Sequence, residues 1–313
     1  MTTSSPVLKS MMETMGQAKS MVGWVFSPQL GFDLPAVSAM PALESRDYEC
    51  RLARDRSELR RVFQLRYEVF RQEYRSPASW FKIDVDDFDR YADHLVVFEK
   101  ATGLPVGTYR LLEEGRAPSF YSAKEFSLEP FLKRPGKKLE LGRACVHPQH
   151  RNGTVLRMLW RAVTQFAQER QIDLLFGCSS VLLGDAHAEA NWSGEAVSPT
   201  CGLIDSLFQE MTSRGAWEPE TGVAPLEKYR MPASARDAWR SLSQGWLKQG
   251  GGLELSGESA TLTERKSSRV LPPLVLSYIR SGARMIAEPA WDADFHCLDL
   301  LTAFPISRKG GEA

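Results

Sequence analysis

An acid and a guanidinium set inside an apolar strand constrain this chain more than any other feature. Residues 138–148 read KLELGRACVHP, with Glu140 and Arg143 interrupting the apolar run. Packing alone does not select such a pair, because a buried charge is costly unless a partner meets it. Leu139 and Leu141 alternate with Glu140 and Gly142 at the strand period, which predicts one buried face and one face carrying the acid. Residues three apart on a regular strand point to opposite faces. Gly142 is the residue type that admits a bulge, and a bulge there turns Glu140 and Arg143 toward one cleft. A bulge also leaves backbone N–H groups near 143–146 without strand partners, and a splayed strand edge beside a carboxylate suits an acyl thioester. A buried structural ion pair is the alternative.

A chain of 313 residues holds one large or two modest domains, and 43% hydrophobic residues suffice for a full core. Lys+Arg and Asp+Glu balance at 39 each, so no global field recruits nucleic acid, and none is expected as a partner. Cys50, Cys145, Cys178, Cys201 and Cys297 are widely spaced and form no CxxC pair, which argues against a disulfide framework and a zinc site and fits a reducing cytoplasm. The histidines show no ligand spacing, and no catalytic metal is expected.

Residues 1–45 read as an N-terminal extension and linker, in which Leu8, Met11, Met12, Met15, Ala18, Val22, Val25 and Phe26 recur at helical spacing. Such an amphipathic helix packs on its own domain or docks peripherally at the inner face of a membrane; it is too interrupted to span one. Residues 46–231 read as the catalytic core. YECRLA is a strand, and SELRRVFQLRYEVFRQEY a helix capped by Ser57, with Leu59, Val62, Phe63, Tyr67 and Phe70 as its buried stripe. Arg66 sits at the edge of that stripe, within reach of a cleft or on a solvated face.

The loop KIDVDDFDRYADHL crowds Asp84, Asp86, Asp87, Asp89 and Asp93 together, and mutual repulsion calls for a cation among them. A substrate amine supplies one, or Arg66 and Arg110 do so from within. A hairpin follows, with Arg110 on its second strand at 106–112. HPQHRNGTVLRMLWRAVTQFAQER is a strand-to-helix passage whose stripe is Leu156, Leu159, Trp160, Val163 and Phe166 and whose N-terminus favours a phosphate. Residues 232–268 read as a polar insertion, and residues 269–313 as the segment completing the sheet.

The motifs LRYEVF, DVDDFDRYADHL, GTYRLL, FYSAKEF, ELGRACV, LFGCSS and LPPLVLSYIRSGA, in this order, resemble the ornithine N-acyltransferases of ornithine-lipid synthesis, hemolysin-like members of the GNAT superfamily. Acyl-homoserine-lactone synthases are similar more distantly, through Arg66, Phe70, Asp86, Asp89, Arg110, Glu140 and Arg143. The resemblance implies an α/β (α+β) fold with a mixed, twisted GNAT-like sheet flanked by helices. It implies acyl transfer from acyl carrier protein to an amino acid, with acyl-phosphopantetheine as co-substrate and no resident cofactor. In that reading Glu140 is the general base and Arg143 orients it or the substrate carboxylate. Arg66, Asp86, Asp89 and Arg110 bind the amino acid; Val146, Arg151, Gly153 and Thr154 meet the donor. Arg151–Asn152–Gly153–Thr154 carries one glycine where the coenzyme A loop of GNAT enzymes carries two, which points away from free coenzyme A. Lys133, Arg134, Lys137, Lys138, Arg151, Arg157 and Arg161 supply positive charge for an acidic carrier protein. An acetyl-CoA-dependent acetyltransferase, another N-acyl amino acid synthase and a non-catalytic membrane-binding protein are the rival readings.

Overall fold

The structure, a computed structural model, describes residues 40–74, 81–183, 199–220, 222–248 and 270–306. The expected N-terminal helix, residues 184–198 and the Ser/Glu/Lys-rich run after Lys248 lie outside the described residues. In chain order the elements are β1 (Leu43–Glu44), β2 (Tyr48–Leu52), α1 (Arg56–Tyr74), β3 (Asp93–Glu99), β4 (Pro105–Glu113), a 3₁₀ turn (Tyr121–Lys124), β5 (Phe126–Ser127), α2 (Glu129–Leu132) and β6 (Lys138–Val146). There follow α3 (Thr154–Glu169), β7 (Leu174–Leu182), α4 (Cys201–Ser213), β8 (Ala224–Pro225), α5 (Ala233–Lys248), α6 (Pro273–Arg280), β9 (Arg284–Met285), β10 (Ala290–Asp292) and β11 (Cys297–Pro305). They form two compact units: one of the residues up to Pro118 with Leu141–Arg170, the other of Ser119–Glu140 with the residues from Gln171 on. The division falls inside β6, between Glu140 and Leu141.

In the first unit β1, β2, β3 and β4 pair antiparallel in sequence order, and β6 neighbours β4. Helix α1 starts two residues earlier than Ser57 suggested, because Asp55 Oδ1 accepts the N–H of Glu58 at 2.9 Å and caps the helix instead. Glu58 in turn receives both guanidinium nitrogens of Arg51 at 2.8 Å each, tying α1 to β2. Leu59, Val62 and Phe63 of α1 pack on Val96 and Phe98 of β3, so the α1 face of the sheet carries the even-numbered residues of β3. His94 and Val96 stand across from Arg110 and Thr108 of β4, which puts Arg110 on the same face as α1. The opposite face belongs to α3: Val97 pairs with Gly107, and a Cβ at Gly107 would lie 2.6 Å from Val155 Cγ1 and 3.3 Å from Leu159 Cδ1. Helix and strand approach this closely only because residue 107 has no side chain. The α3 stripe is rotated from the one expected: Val155, Met158, Ala162 and Ala167 are buried with Leu159, Val163 and Phe166, whereas Leu156 and Trp160 are half-buried.

In the second unit β6 pairs β7 in parallel from Lys138 to Glu140, and β7 pairs β11 antiparallel along its whole length, with β10 on the outer side of β11. Phe120 and Phe131 clasp Phe176, the residue beside Glu140, at ring distances of 4.9 and 5.0 Å. A larger core joins Ile204, Leu207, Phe208 and Met211 of α4 to Leu298 and Leu300 of β11. Helix α5, expected within a polar insertion, buries Ala235 and Trp239 there, and the Trp239 ring meets Trp217 and Phe208 edge-on at 5.1 Å each. Ala238, Leu242 and Trp246 of the same helix pack against this core as well, so one apolar side seats the helix.

Candidate active site

Arg66, placed by its sequence on the edge of α1, is completely buried. Its Nη1 lies 2.7 Å and its Nη2 3.1 Å from the two carboxylate oxygens of Asp89, and its Nε lies 2.7 Å from Asp84 Oδ2. Arg110 Nη1 lies 2.6 Å from Asp86 Oδ1 and 3.4 Å from Asp89 Oδ1. Arg143 Nη2 reaches Asp86 Oδ2 at 2.9 Å and its Nε stands 3.4 Å from Asp84. Three guanidiniums thus meet three carboxylates. The loop holds its own shape as well: Asp86 N–H donates to Asp89 and Phe88 N–H to Asp86. The compensating charge that the aspartate-rich loop demanded comes from within the chain, as an internal network, so the loop needs no substrate cation for it. Asp89 side-chain exposure is 0%, whereas Asp84 and Arg143 keep 27% and 25%, so solvent reaches the network at that end.

Burial raises the Asp89 carboxyl, but the charges of Arg66 and Arg110 outweigh it and hold Asp89 far below the usual carboxylate range. Asp86 is lowered on the same terms, with burial and Asp89 opposed by Arg110 and Arg143. His94, T-stacked on Phe63, sits beneath the network with Nε2 3.0 Å from the backbone oxygen of Asp89. Burial pushes it down to about 4, with Arg66 and Arg110 assisting and Asp89 opposing. It is therefore neutral near pH 7 and donates from Nε2, while its buried Nδ1 has no hydrogen-bond partner.

The expected bulge residue was Gly142; the left-handed residue is Arg143 itself, at φ 50. Gly142 has no positive φ, and an added Cβ there would meet Arg110 Nη2 at 3.5 Å, an ordinary contact distance. A non-glycine residue with positive φ is strained, and at Arg143 its ion pairs with Asp84 and Asp86 hold it there.

Glu140, in the second unit, is 3% exposed. Its Oε2 accepts the N–H of Tyr121 at 2.7 Å, and its Oε1 accepts both the N–H of Ser122 at 2.7 Å and the Ser122 hydroxyl at 2.5 Å. One 3₁₀ turn thus supplies three donors to this carboxylate. Tyr121 and Ser122 lie within the motif FYSAKEF, but no local pattern shows that their N–H groups turn toward a residue 18 to 19 positions on.

Of the donor-side residues, Gly153 takes φ 82 as the N-cap of α3, and Thr154 N–H is held by Asn152 Oδ1 at 2.9 Å. Arg151 spans from the Val146 carbonyl, 3.0 Å from its Nε, to the carboxylate of Glu73. The basic cluster is smaller than its sequence suggested. Lys138 is 2% exposed with its ammonium on the carbonyls of Arg134 and Gly136, while Arg134 pairs with Glu220 and Lys133 with Glu129. Among the described residues, Glu125, Asp292 and Asp299 bring three buried carboxylates within 4.8 Å and are the group that could hold a metal ion.

A family model described as an acetyltransferase (GNAT) domain matches residues 65–161. The chain is 31% identical over 279 residues to the L-ornithine N(alpha)-acyltransferase of Agrobacterium fabrum, covering 84% of this chain and 82% of that protein. It is 30% identical over 279 residues to that of Rhizobium meliloti, covering 84% and 81%. Among solved structures, a CoA-dependent acyl-homoserine lactone synthase with SAM and isopentyl-CoA aligns at 14% identity and TM-score 0.40, over 81% of this chain and 78% of that one.

Proposed function

This chain belongs to the family of L-ornithine N(alpha)-acyltransferases, and from that premise we propose that it transfers a 3-hydroxy fatty acyl group from acyl carrier protein to the α-amine of ornithine. The relatives support the acceptor, since they carry that activity in their names and share most of their length with this chain. The observation that supports the chemistry is the buried carboxylate of Glu140, held in one orientation by three donors.

Near neutral pH the α-amine arrives mostly as ammonium and has to lose a proton before it can attack. Glu140 takes that proton, directly or through a water. The amine nitrogen then forms a bond to the thioester carbonyl carbon, and backbone N–H groups between Arg143 and Val146 receive the oxyanion. Collapse breaks the C–S bond; the nitrogen, which still carries two protons, gives one to the leaving phosphopantetheine sulfur, and Glu140 passes the proton it took to solvent, so that an amide, a thiol and one released proton are formed. A covalent route through Cys178 is disfavoured, because burial, Glu125 and Asp299 push its thiol well above the ordinary range and keep it protonated. Arg143, at the solvent-reached end of its network, takes the acceptor carboxylate. Arg66, Asp86, Asp89 and Arg110 frame it. Arg151, Gly153 and Thr154 face the phosphate of the donor arm, in the reading that α3 presents its N-terminus to an anion.

The test is a purified-protein assay in which 3-hydroxyacyl carrier protein or the matching acyl-CoA is mixed with ornithine, lysine, glycine, glutamine or norvaline. Products are read by mass spectrometry. Nα-acylornithine formed faster from the carrier protein is the expected result. Equal rates with norvaline would overturn the acceptor, equal rates with acyl-CoA the donor, and no N-acyl product from any pair the whole reading.

A further inference from the structure

The motif LFGCSS is left without a role by the reading above, yet it meets FYSAKEF, whose turn holds Glu140, at the proposed base. Ser122 is wholly buried in the 3₁₀ turn and gives Glu140 Oε1 two hydrogen bonds, one from its N–H and one from its hydroxyl. Cys178, on β7 two residues beyond the one paired with Glu140, points its Sγ at the Ser122 hydroxyl oxygen, 3.3 Å away. A hydroxyl has one proton to donate. With the thiol S–H donating to Ser122 Oγ, the Ser122 proton goes to Glu140, and the three groups form a directed chain of thiol to hydroxyl to carboxylate.

We propose that Ser122 is a positioning residue for Glu140 and that Cys178 sets the direction in which the Ser122 hydroxyl donates. This rests on the reading of Glu140 as base. The chain has two effects on the base. It confines the carboxylate to one rotamer, so that the acceptor proton meets a fixed oxygen. It also stabilises the ionised form, since a hydrogen bond to the charged state lowers a carboxyl pKa. The thiol is suited to its part because it stays protonated across the working range, held there by burial.

Ser122→Ala removes the hydroxyl and leaves the Ser122 and Tyr121 N–H groups in place. The sign follows directly: with one donor fewer the ionised form is less favoured, the Glu140 pKa rises, and the ascending limb of the kcat–pH profile moves to higher pH. We expect a shift of about one pH unit and a fall in kcat of roughly tenfold at its plateau, with KM for the acceptor within about twofold of wild type. Ser122→Thr, which keeps the hydroxyl, returns the limb toward the wild-type position. Cys178→Ala shifts the limb in the same direction by less, and adds nothing in the Ser122→Ala background, since its route to Glu140 is then already cut.

The inference is overturned if Ser122→Ala alters the thermal midpoint but neither kcat nor the limb, or if the effects of Cys178→Ala and Ser122→Ala simply add. Should Ser122→Ala fail to fold, Cys178→Ala decides alone: an unmoved limb overturns the inference and a moved one supports it. Wild-type protein that forms no N-acyl product would instead remove the underlying reading, a different result from an active wild type that Ser122→Ala leaves untouched.

Discussion

Arg66 and Asp89 face each other fork to fork, with Nη1–Oδ1 at 2.7 Å, Nη2–Oδ2 at 3.1 Å and side-chain exposures of 1% and 0%. Two parallel charge-assisted bonds in a dry site need the planar guanidinium, and an ammonium supplies one of them at most. Truncating Arg66 to Ala leaves the buried Asp89 carboxylate with Arg110, 3.4 Å away, as its remaining guanidinium partner, at a cost of roughly 3–5 kcal/mol, and Arg66→Lys recovers only part of it. Urea denaturation of the two variants checks this; equal midpoints for Arg66→Lys and wild type would show that the fork is not required.

The internal pairing of the aspartates carries a prediction about selectivity. Asp86→Asn weakens the bonds from Arg110 and Arg143 and lowers both stability and rate, but the ratio of rates with ornithine and norvaline stays at its wild-type value. A ratio that collapses toward one in Asp86→Asn would assign the acceptor ammonium to this carboxylate after all.

Glu140→Gln is not a silent replacement. Both carboxylate oxygens accept N–H groups of the chain, so either amide orientation sets an NH₂ against a backbone donor. We expect loss of roughly 1–3 kcal/mol in stability together with a fall of at least about 100-fold in kcat. Glu140→Asp keeps the charge and separates the two effects: kcat falls more than the midpoint does. An active Glu140→Gln enzyme would remove Glu140 from the role of base.

His94 makes the first unit acid-sensitive. Its value falls from 6.5 to about 4 on folding, with Asp89, Arg66 and Arg110 as the charged groups around it. The unfolded chain therefore binds the proton at higher pH than the folded one. Stability from this group is complete above about 6.5 and is lost as pH falls toward 4, by roughly 3 kcal/mol in all. His94→Gln flattens the thermal midpoint between those two values, while the steeper loss below pH 4, from Asp86 and Asp89, persists. An unchanged slope in the variant would mean that other groups carry the dependence.

Gly107→Ala places a methyl 2.6 Å from Val155 Cγ1, inside contact distance, and overpacking of this kind costs roughly 1–3 kcal/mol. Val155→Ala in the same chain removes the opposing methyl groups and recovers part of the loss, which a thermal-melt comparison of the single and double variants reads directly.

Local pattern determined much of this protein. The second hairpin strand, expected at 106–112, and the helix over SELRRVFQLRYEVFRQEY follow from short-range periodicity, and the structure places both within a residue or two of expectation. The motif blocks were likewise legible, and the shared length with the family bears them out. Glu140 and Arg143 stood out because charges inside a strand conflict with packing.

Only the tertiary structure decided what those charges meet. Arg66 looked like a residue at the rim of its helix and is buried, because Asp84 and Asp89 approach it from a loop 18 to 23 positions away. Glu140 meets the turn at Tyr121 and Ser122, and Arg143 meets Asp84 and Asp86, groups that the run 138–148 does not show. Gly142 was the natural place for the irregularity, yet Arg143 takes the left-handed backbone, which ion pairing outweighs in cost. The physical reason is the same throughout. Periodicity records how a residue is oriented relative to its own element, whereas the state of a buried charge depends on groups distant in sequence that loops deliver to it, and no local pattern encodes that meeting.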